Sequence, residues 1–383
     1  MAVKLTSGGK PLFPLTSPPP KPIPAPEPKL IAKVVSYEDR EIIVTVPFPD
    51  SIELVAGVTN DILLVPDISG KSAKQLYTEL DQEIQDALVE IAMNLPPYIS
   101  GKVNPNNPTR GEFYIAYDDA QPLSKARVTL SRTKGADYAS WRIRCEFSPS
   151  KAGQTGLVKL TAGLEAVLPF VSIPKLIHAF EVARIDSAID CIGATPLDLI
   201  AHVPKPGKRV VYVGAHGKPE SVYFYELKKP LKTPPTRLSV LTRGPHRLTL
   251  YERRDYHLQL SLQPPYGPCP VTRAEVIKRW TKKRPLLAGV TSLDNLFAGR
   301  RVAYAAAVPA GGSKAWRQFC LAAFGGGIDK SLFSWLPGPG ATFAKAYTAC
   351  TGDLIDPHCW DRWEDGIKAT GLGKWAELAQ SGQ

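Results

Sequence analysis

The period of the apolar positions changes several times along the chain, and each change predicts an element. In KSAKQLYTELDQEIQDALVEIAMN, Leu76, Leu80, Ile84, Leu88 and Ile91 recur every three or four residues, with acids on the other faces. That spacing draws one apolar stripe along a helix and predicts a core helix. Upstream, AKVVSYEDREIIVTVPF alternates and predicts a hairpin turning at Glu38 and Asp39. Downstream, PPYISGKVNPNNPTRG reads as a loop. EFYIAYDD and RVTLSRTKGADYASWRIRCEF then read as strands, the second pair joined over Lys134–Asp137. A helix is predicted over about 155–168, and another from Pro174 through LIHAFEVA.

Next comes ARIDSAID, residues 183–190, apolar or small except for Arg184, Asp186 and Asp190. Positions i and i+4 share a face on a helix and on a strand alike, so the two carboxylates converge in either case. KRVVYVGAHGKPESVYFYELKKPL and RLSVLTRGPHRLTLYERRDYHLQLSL carry strand-like alternation. The prolines of QPPYGPCPVTR mark a boundary. Beyond it TRAEVIKRW, KAWRQFCLAAF and DRWEDGIKATGLGKWAELA read as helical. Residues 1–30 hold nine prolines and read as a disordered or polyproline arm. No internal repeat is visible.

Composition changes this picture mainly through charge. The chain of 383 residues has a net charge of +11, yet residues 201–285 alone carry 18 Lys/Arg against 5 Asp/Glu. A basic block of that size, interleaved with tyrosines, is the footprint of a polyanion binder. No apolar run reaches about 18 residues and no apolar leader is present, so neither a membrane span nor a secretory signal is expected. The six cysteines are scattered and read as reduced thiols of an intracellular protein. No Gly-Lys-Ser/Thr phosphate loop, dinucleotide fingerprint or His-hydrophobe-His triplet occurs.

Asp186 and Asp190, partly desolvated by Ile185, Ile189 and Ile192, would repel unless a cation balances them. A hard divalent cation would do so, and so would arginines such as Arg184. Glu146, at the end of a strand in CEFSPSK, matters only if it joins them. Tyr251, in a strand with Arg247, Thr249 and Arg253 on one face, is a candidate nucleophile, because neighbouring arginines would stabilise a phenolate. Tyr256 is its rival.

The order CEFSPSK, ARIDSAIDCIGATPLDL, VVYVGAHGKPESVYFYELKK, HRLTLYERR resembles the rolling-circle replication initiators of plasmids and bacteriophages, of the histidine-poor type. Glu146 with Ser148 and Pro149 fits that family's Glu-x-Asn-Pro-like turn. Arg184, Asp186 and Asp190 fit its Arg-hydrophobe-Asp-x-x-x-Asp motif. Tyr212, Gly214, Ser221, Tyr225, Glu226 and Lys228 follow its Tyr-x-Gly-Ser…Tyr-Asp-Lys segment with one residue inserted. In its Arg-x-Glu strand, Thr249 stands two residues after Arg247, and the nearest acid is Glu252.

The resemblance implies an α+β fold, an antiparallel sheet core packed with helices plus a mostly helical C-terminal region, which agrees with the strand-rich middle. The chain as read divides into a 1–30 arm, a 31–139 N-terminal α+β region, a 140–265 initiator core and a 270–383 mainly helical region, and the resemblance covers only the core, about 140–265. The resemblance implies metal-dependent DNA nicking and joining, in which a tyrosine, Tyr251 or Tyr256, attacks the phosphodiester with Glu252 beside it. Mg²⁺ or Mn²⁺ would be held by Asp186, Asp190 and Glu146. Arg184, Lys218, Lys228, Lys229, Arg247, Arg253 and Arg254 would hold origin DNA. Implied too are a host helicase as partner, a prokaryotic cytoplasm as location and no membrane, with a homo-oligomer left open. Thr249 favours an alternative, a DNA-binding protein without nicking activity; a structural virion protein, with the Pro-rich arm as an assembly tail, is the other.

Overall fold

The computed structural model describes residues 30–36, 41–64, 73–117, 124–134, 139–195, 199–202, 208–213, 219–225, 248–253, 266–304 and 353–381. Its strands in chain order are β1 (Ile31–Ser36), β2 (Glu41–Thr45), β3 (Phe48–Gly57), β4 (Ile99–Val103), β5 (Arg110–Ala116), β6 (Lys125–Lys134), β7 (Ala139–Phe147), β8 (Glu181–Ile192), β9 (Leu199–His202), β10 (Lys208–Val213), β11 (Pro219–Tyr225), β12 (Leu248–Glu252), β13 (Val271–Arg279), β14 (Arg301–Tyr304) and β15 (Asp353–Ile355). The helices are α1 (Ala73–Met93), α2 (Pro149–Val167), α3 (Ile173–Ala179), α4 (Trp363–Ala369) and α5 (Leu372–Ser381).

The described residues form one twelve-stranded sheet, in the order β10-β11-β12-β13-β8-β3-β7-β6-β5-β4 with β1 and β2 attached beside β8. β9, β14 and β15 form a second, three-stranded sheet. Neighbours in the large sheet run antiparallel. The fold is therefore α+β, an antiparallel sheet backed by helices with a helical C-terminal region.

The strand order contains a repeat that the sequence does not display. In the first half, β3 pairs with the last strand of its own meander, β7, and the order continues β6, β5, β4. In the second half, β8 pairs with β13, and the order continues β12, β11, β10. The halves meet where β3 pairs with β8. Residues 271–279, read above as helical, are strand β13 and close the second half.

Side chains alternate between the faces of a strand, and here the alternation separates chemistry. One face carries Phe113, Ile115, Val128, Leu130, Ile143, Cys145, Ile185 and Ile189, all fully buried. Helices cover it. α1 places Ile84, Leu88 and Ile91 against it, and α2 places Leu157, Leu160, Leu164 and Val167. Asp81 ties α1 to the sheet, accepting from Arg132 Nε and Nη2 at 2.8 and 2.6 Å and from Trp141 Nε1 at 2.8 Å. α5 docks beside α2 and α3 through Trp375, whose ring packs edge-on to Phe147 at 5.5 Å and stacks on Phe180 at 6.4 Å. α4 approaches β3 so closely that a Cβ on Gly366 would lie 1.9 Å from the Pro47 carbonyl oxygen. The opposite face of the sheet is polar and carries the candidate site.

Candidate functional site

Register decides what meets on the polar face, because directly opposed residues of an antiparallel pair project to the same side. ARIDSAID lies in β8, so the choice left open between helix and strand falls to strand. Arg273 of β13 stands opposite Asp190, and Glu275 opposite Ala188. Tyr251 of β12 stands opposite Arg273, and Thr249 opposite Glu275. Three adjacent strands thus bring Asp186, Asp190, Arg273, Glu275 and Tyr251 to one patch. Asp50 joins them from a bulge in β3 between Pro49 and Ser51.

Asp190 is fully buried and fully engaged. It accepts from Arg273 Nε at 2.7 Å and Nη2 at 2.9 Å, from Arg253 Nη1 at 2.8 Å and from the Tyr266 hydroxyl at 3.2 Å. Its own amide donates to Thr45 Oγ1 at 2.9 Å. The remaining donor of Arg273, Nη1, binds Asp50, which also accepts from Ser150 Oγ at 2.8 Å. The Arg273 guanidinium lies 5.0 Å from the centre of the Phe48 ring, a cation–π contact.

Burial and charge compete at each group. Burial raises the Asp190 carboxyl above its ordinary range, despite the opposing pull of Arg273. At Asp50 burial also pushes upward, but Arg273 and the Ser150 hydrogen bond outweigh it and hold the carboxyl low. Burial would lower Arg273, yet the two carboxylates raise it well above the usual value, so it remains charged.

Asp186 is held separately. Arg184 Nε donates to one of its oxygens at 2.7 Å and Nη2 to the other. The same guanidinium faces Glu146, with Nη1 at 3.8 Å from Oε1, and Arg127 Nη2 reaches Glu146 Oε2 at 2.6 Å. Burial pushes the Asp186 carboxyl up to about 6 against the pull of Arg184. Alongside runs a groove of about 360 Å³ lined by Lys125, Arg127, Glu146, Ser148 and Lys151, and by Ser51, the register partner of Asp186. Farther out on this face Arg142 and Arg144 are exposed.

The tyrosine behaves differently from the expectation of a stabilised phenolate. Burial raises the Tyr251 hydroxyl well above its ordinary value despite Arg273, so it stays protonated. It donates to Glu275 Oε2 at 3.4 Å, a long hydrogen bond to an acceptor able to take its proton. Glu252 does not stand beside the Tyr251 hydroxyl: as the next residue along the strand it points to the other face, where its Oε1 accepts from the Val271 amide at 2.9 Å. Arg184 and Arg253 are committed to carboxylates rather than free for a ligand backbone. Tyr256, Lys218, Lys228, Lys229, Arg247 and Arg254 lie outside the described residues.

Arg273 and Glu275 were missed in the sequence because TRAEVIKRW was read as a helix. Their alternation with Thr272, Ala274 and Val276 was the available signal.

As arranged, Asp186, Asp190 and Glu146 do not fit a divalent cation. Asp190 has its oxygens on two arginines and a tyrosine, and Arg184 sits between Asp186 and Glu146 where a cation would lie. Among the described residues no group of three His, Cys, Asp or Glu is placed to hold a metal. Also among them, no helix is long and apolar enough to cross a membrane. Neither a comparison with protein-family models nor one with curated proteins finds a match for this chain.

Proposed function

We propose that this chain is a rolling-circle-type replication initiator that binds DNA on the polar face of its sheet and nicks one strand through Tyr251. The observation that carries the reading is the Tyr251–Glu275 contact at 3.4 Å, set on a cationic face beside two arginine-neutralised aspartates. A nucleophile with a base in reach, and the base fixed on a neighbouring strand, is the arrangement that phosphodiester attack requires.

In the proposed step the Tyr251 oxygen attacks the scissile phosphorus in line while Glu275 accepts the phenolic proton. The bond from phosphorus to the 3′-oxygen breaks, and that oxygen takes a proton from water to leave a 3′-hydroxyl. The 5′-phosphate stays on Tyr251 as a phosphodiester. Lys125 and Lys151 along the groove and Arg142 farther out offer the positive charge that a DNA backbone needs, while Arg127 and Arg144 share theirs with Glu146 at 2.6 Å and Glu53 at 3.3 Å. Such contacts bind any sequence, so recognition of an origin rests on other residues.

The test is incubation with supercoiled DNA carrying the cognate origin, with Mn²⁺, with Mg²⁺ and with EDTA. The reading expects a covalent protein–DNA adduct that vanishes in Tyr251→Phe and falls at least tenfold in Glu275→Gln. Adducts that persist in Tyr251→Phe move the nucleophile elsewhere. Adducts that require the cation and vanish in Asp186→Asn restore a metal to the site.

A second reading, DNA binding without nicking, is favoured by the complete engagement of Asp190. Binding to cognate DNA with no adduct under any of these conditions selects it.

A further inference from the structure

A second cleft lies away from this patch, between the end of β13, the 3₁₀ turn Leu287–Ser292 and the start of β14. Its volume is about 450 Å³, within the range of small-ligand sites. Val276, Pro285, Leu293 and Leu296 give it an apolar wall, and Trp280 lines it as well.

The charge in this cleft is unusual. Arg300, which lines it, is only 5% exposed. Its Nη1 donates to the carbonyls of Leu296 at 2.7 Å and Ala298 at 3.2 Å, and its Nε has no acceptor among the described residues. Burial lowers its pKa with no carboxylate acting against the shift. Elsewhere, buried Arg273 has two carboxylate partners. A guanidinium taken from water without a counter-charge is unfavourable, and an entering anion would supply one. Two further cations stand at the same cleft. Lys278 places its ammonium 5.8 Å from the centre of the Trp280 ring. Lys283 has a φ of 48°, the only positive value at a non-glycine position among the described residues. The exposed carboxylate of Asp294 is the one acid in the lining, so cations outnumber it three to one.

We infer that this cleft binds a phosphate group carried on a flat or apolar body, as in a nucleoside monophosphate or the phosphorylated end of a DNA strand. The phosphate meets Arg300, Lys278 and Lys283, and the body lies along Trp280 and Leu293. Bare phosphate would leave most of the apolar wall uncovered, so the larger ligand binds more tightly. The inference does not depend on strand nicking at Tyr251, since none of its residues belongs to that patch.

The experiment is calorimetric titration of the full chain with dAMP and with inorganic phosphate, alongside oligothymidylates bearing a 5′-phosphate or a 5′-hydroxyl. Tryptophan fluorescence is followed in parallel. dAMP is expected to bind at least tenfold more tightly than phosphate, with quenching that disappears in Trp280→Phe. The double variant Lys278→Gln/Lys283→Gln changes two exposed side chains. It is expected to keep the wild-type melting temperature and to lose at least tenfold in dAMP affinity. A preference for the 5′-phosphorylated oligonucleotide that this variant abolishes identifies a strand end as the source. An equal effect on dAMP with no such preference identifies the free nucleotide. If Arg300 serves only to hold the 296–298 turn, dAMP affinity is the same in the double variant, or no binding occurs at millimolar concentration, and either result overturns the inference.

Discussion

Replacing Arg273 with methionine tests the electrostatic account of the central patch most directly. Methionine keeps most of the length and apolar volume but removes the guanidinium that joins Asp190 to Asp50. The side chain of Arg273 is 2% exposed and that of Asp190 0%, while Asp50 is 18% exposed. Removing one partner of a buried ion pair costs about 3–5 kcal/mol, because the other charge is left uncompensated. Two features place this case at the low end. Asp190 keeps Arg253 and Tyr266, and Asp50 keeps Ser150 and some solvent. The expected loss is about 3 kcal/mol, which for a chain of this size lowers the melting temperature by roughly 4 °C. Circular dichroism melts at fixed protein concentration measure it. The double variant Arg273→Met/Asp190→Asn removes both charges and should recover about half of the loss, a coupling that a mutant cycle isolates. A single variant melting within about 1 °C of wild type, or a strictly additive double variant, would refute the reasoning.

Three other expectations follow from geometry already described. The folded pKa of Asp186 is raised from 3.8 to about 6, so the native state holds this proton to higher pH than the unfolded chain does. Stability is therefore lost as pH rises from about 4 to 6, by up to roughly 3 kcal/mol. Urea midpoints measured across that window should flatten in Asp186→Asn, and an unchanged slope would show that Asp186 is not the titrating group. Gly366→Ala would put a methyl 1.9 Å from the Pro47 carbonyl oxygen. Pushing α4 off β3 should cost about 1–3 kcal/mol, read as a lower melting temperature, and a neutral substitution would contradict the close approach. Arg142→Ser/Arg144→Ser should reduce the steepness of log affinity for duplex DNA against log salt by about 2, if each arginine meets one phosphate. An unchanged slope would place the DNA elsewhere.

How far the sequence could be read depended on which features are local. α1 was legible because its apolar stripe persists over five positions from Leu76 to Ile91. The hairpin of β1 and β2 was legible for the corresponding reason with period two. β8 was ambiguous because it is buried on both faces, so no polar face revealed its period. β13 was misread because Ala274, Glu275, Lys278 and Arg279 favour helices, and pairing with β8 and β12 overrode that preference. The opposed faces of Tyr251 and Glu252 were already implied by their adjacency in a strand. The Tyr251–Glu275 contact was not, since it depends on register across residues that no local pattern connects. The repeated strand order was hidden for the same reason: it resides in which strand pairs with which.

That repeat also bears on how the chain is made. The first half is complete once β7 has emerged, since every pairing from β3 through β7 then exists except the one to β8. Chains fold from the N-terminus during synthesis at about 5–20 residues per second. The finished first half therefore presents the outer edge of β3 as β8 leaves the ribosome, and β8 can dock before its second neighbour, β13, has been translated. The second half is assembled on a template that the first half provides. A permuted chain beginning at β8 would have to form that half with no edge to build on, and the carboxylates of Asp186 and Asp190 would wait for Arg273 on an unsupported strand.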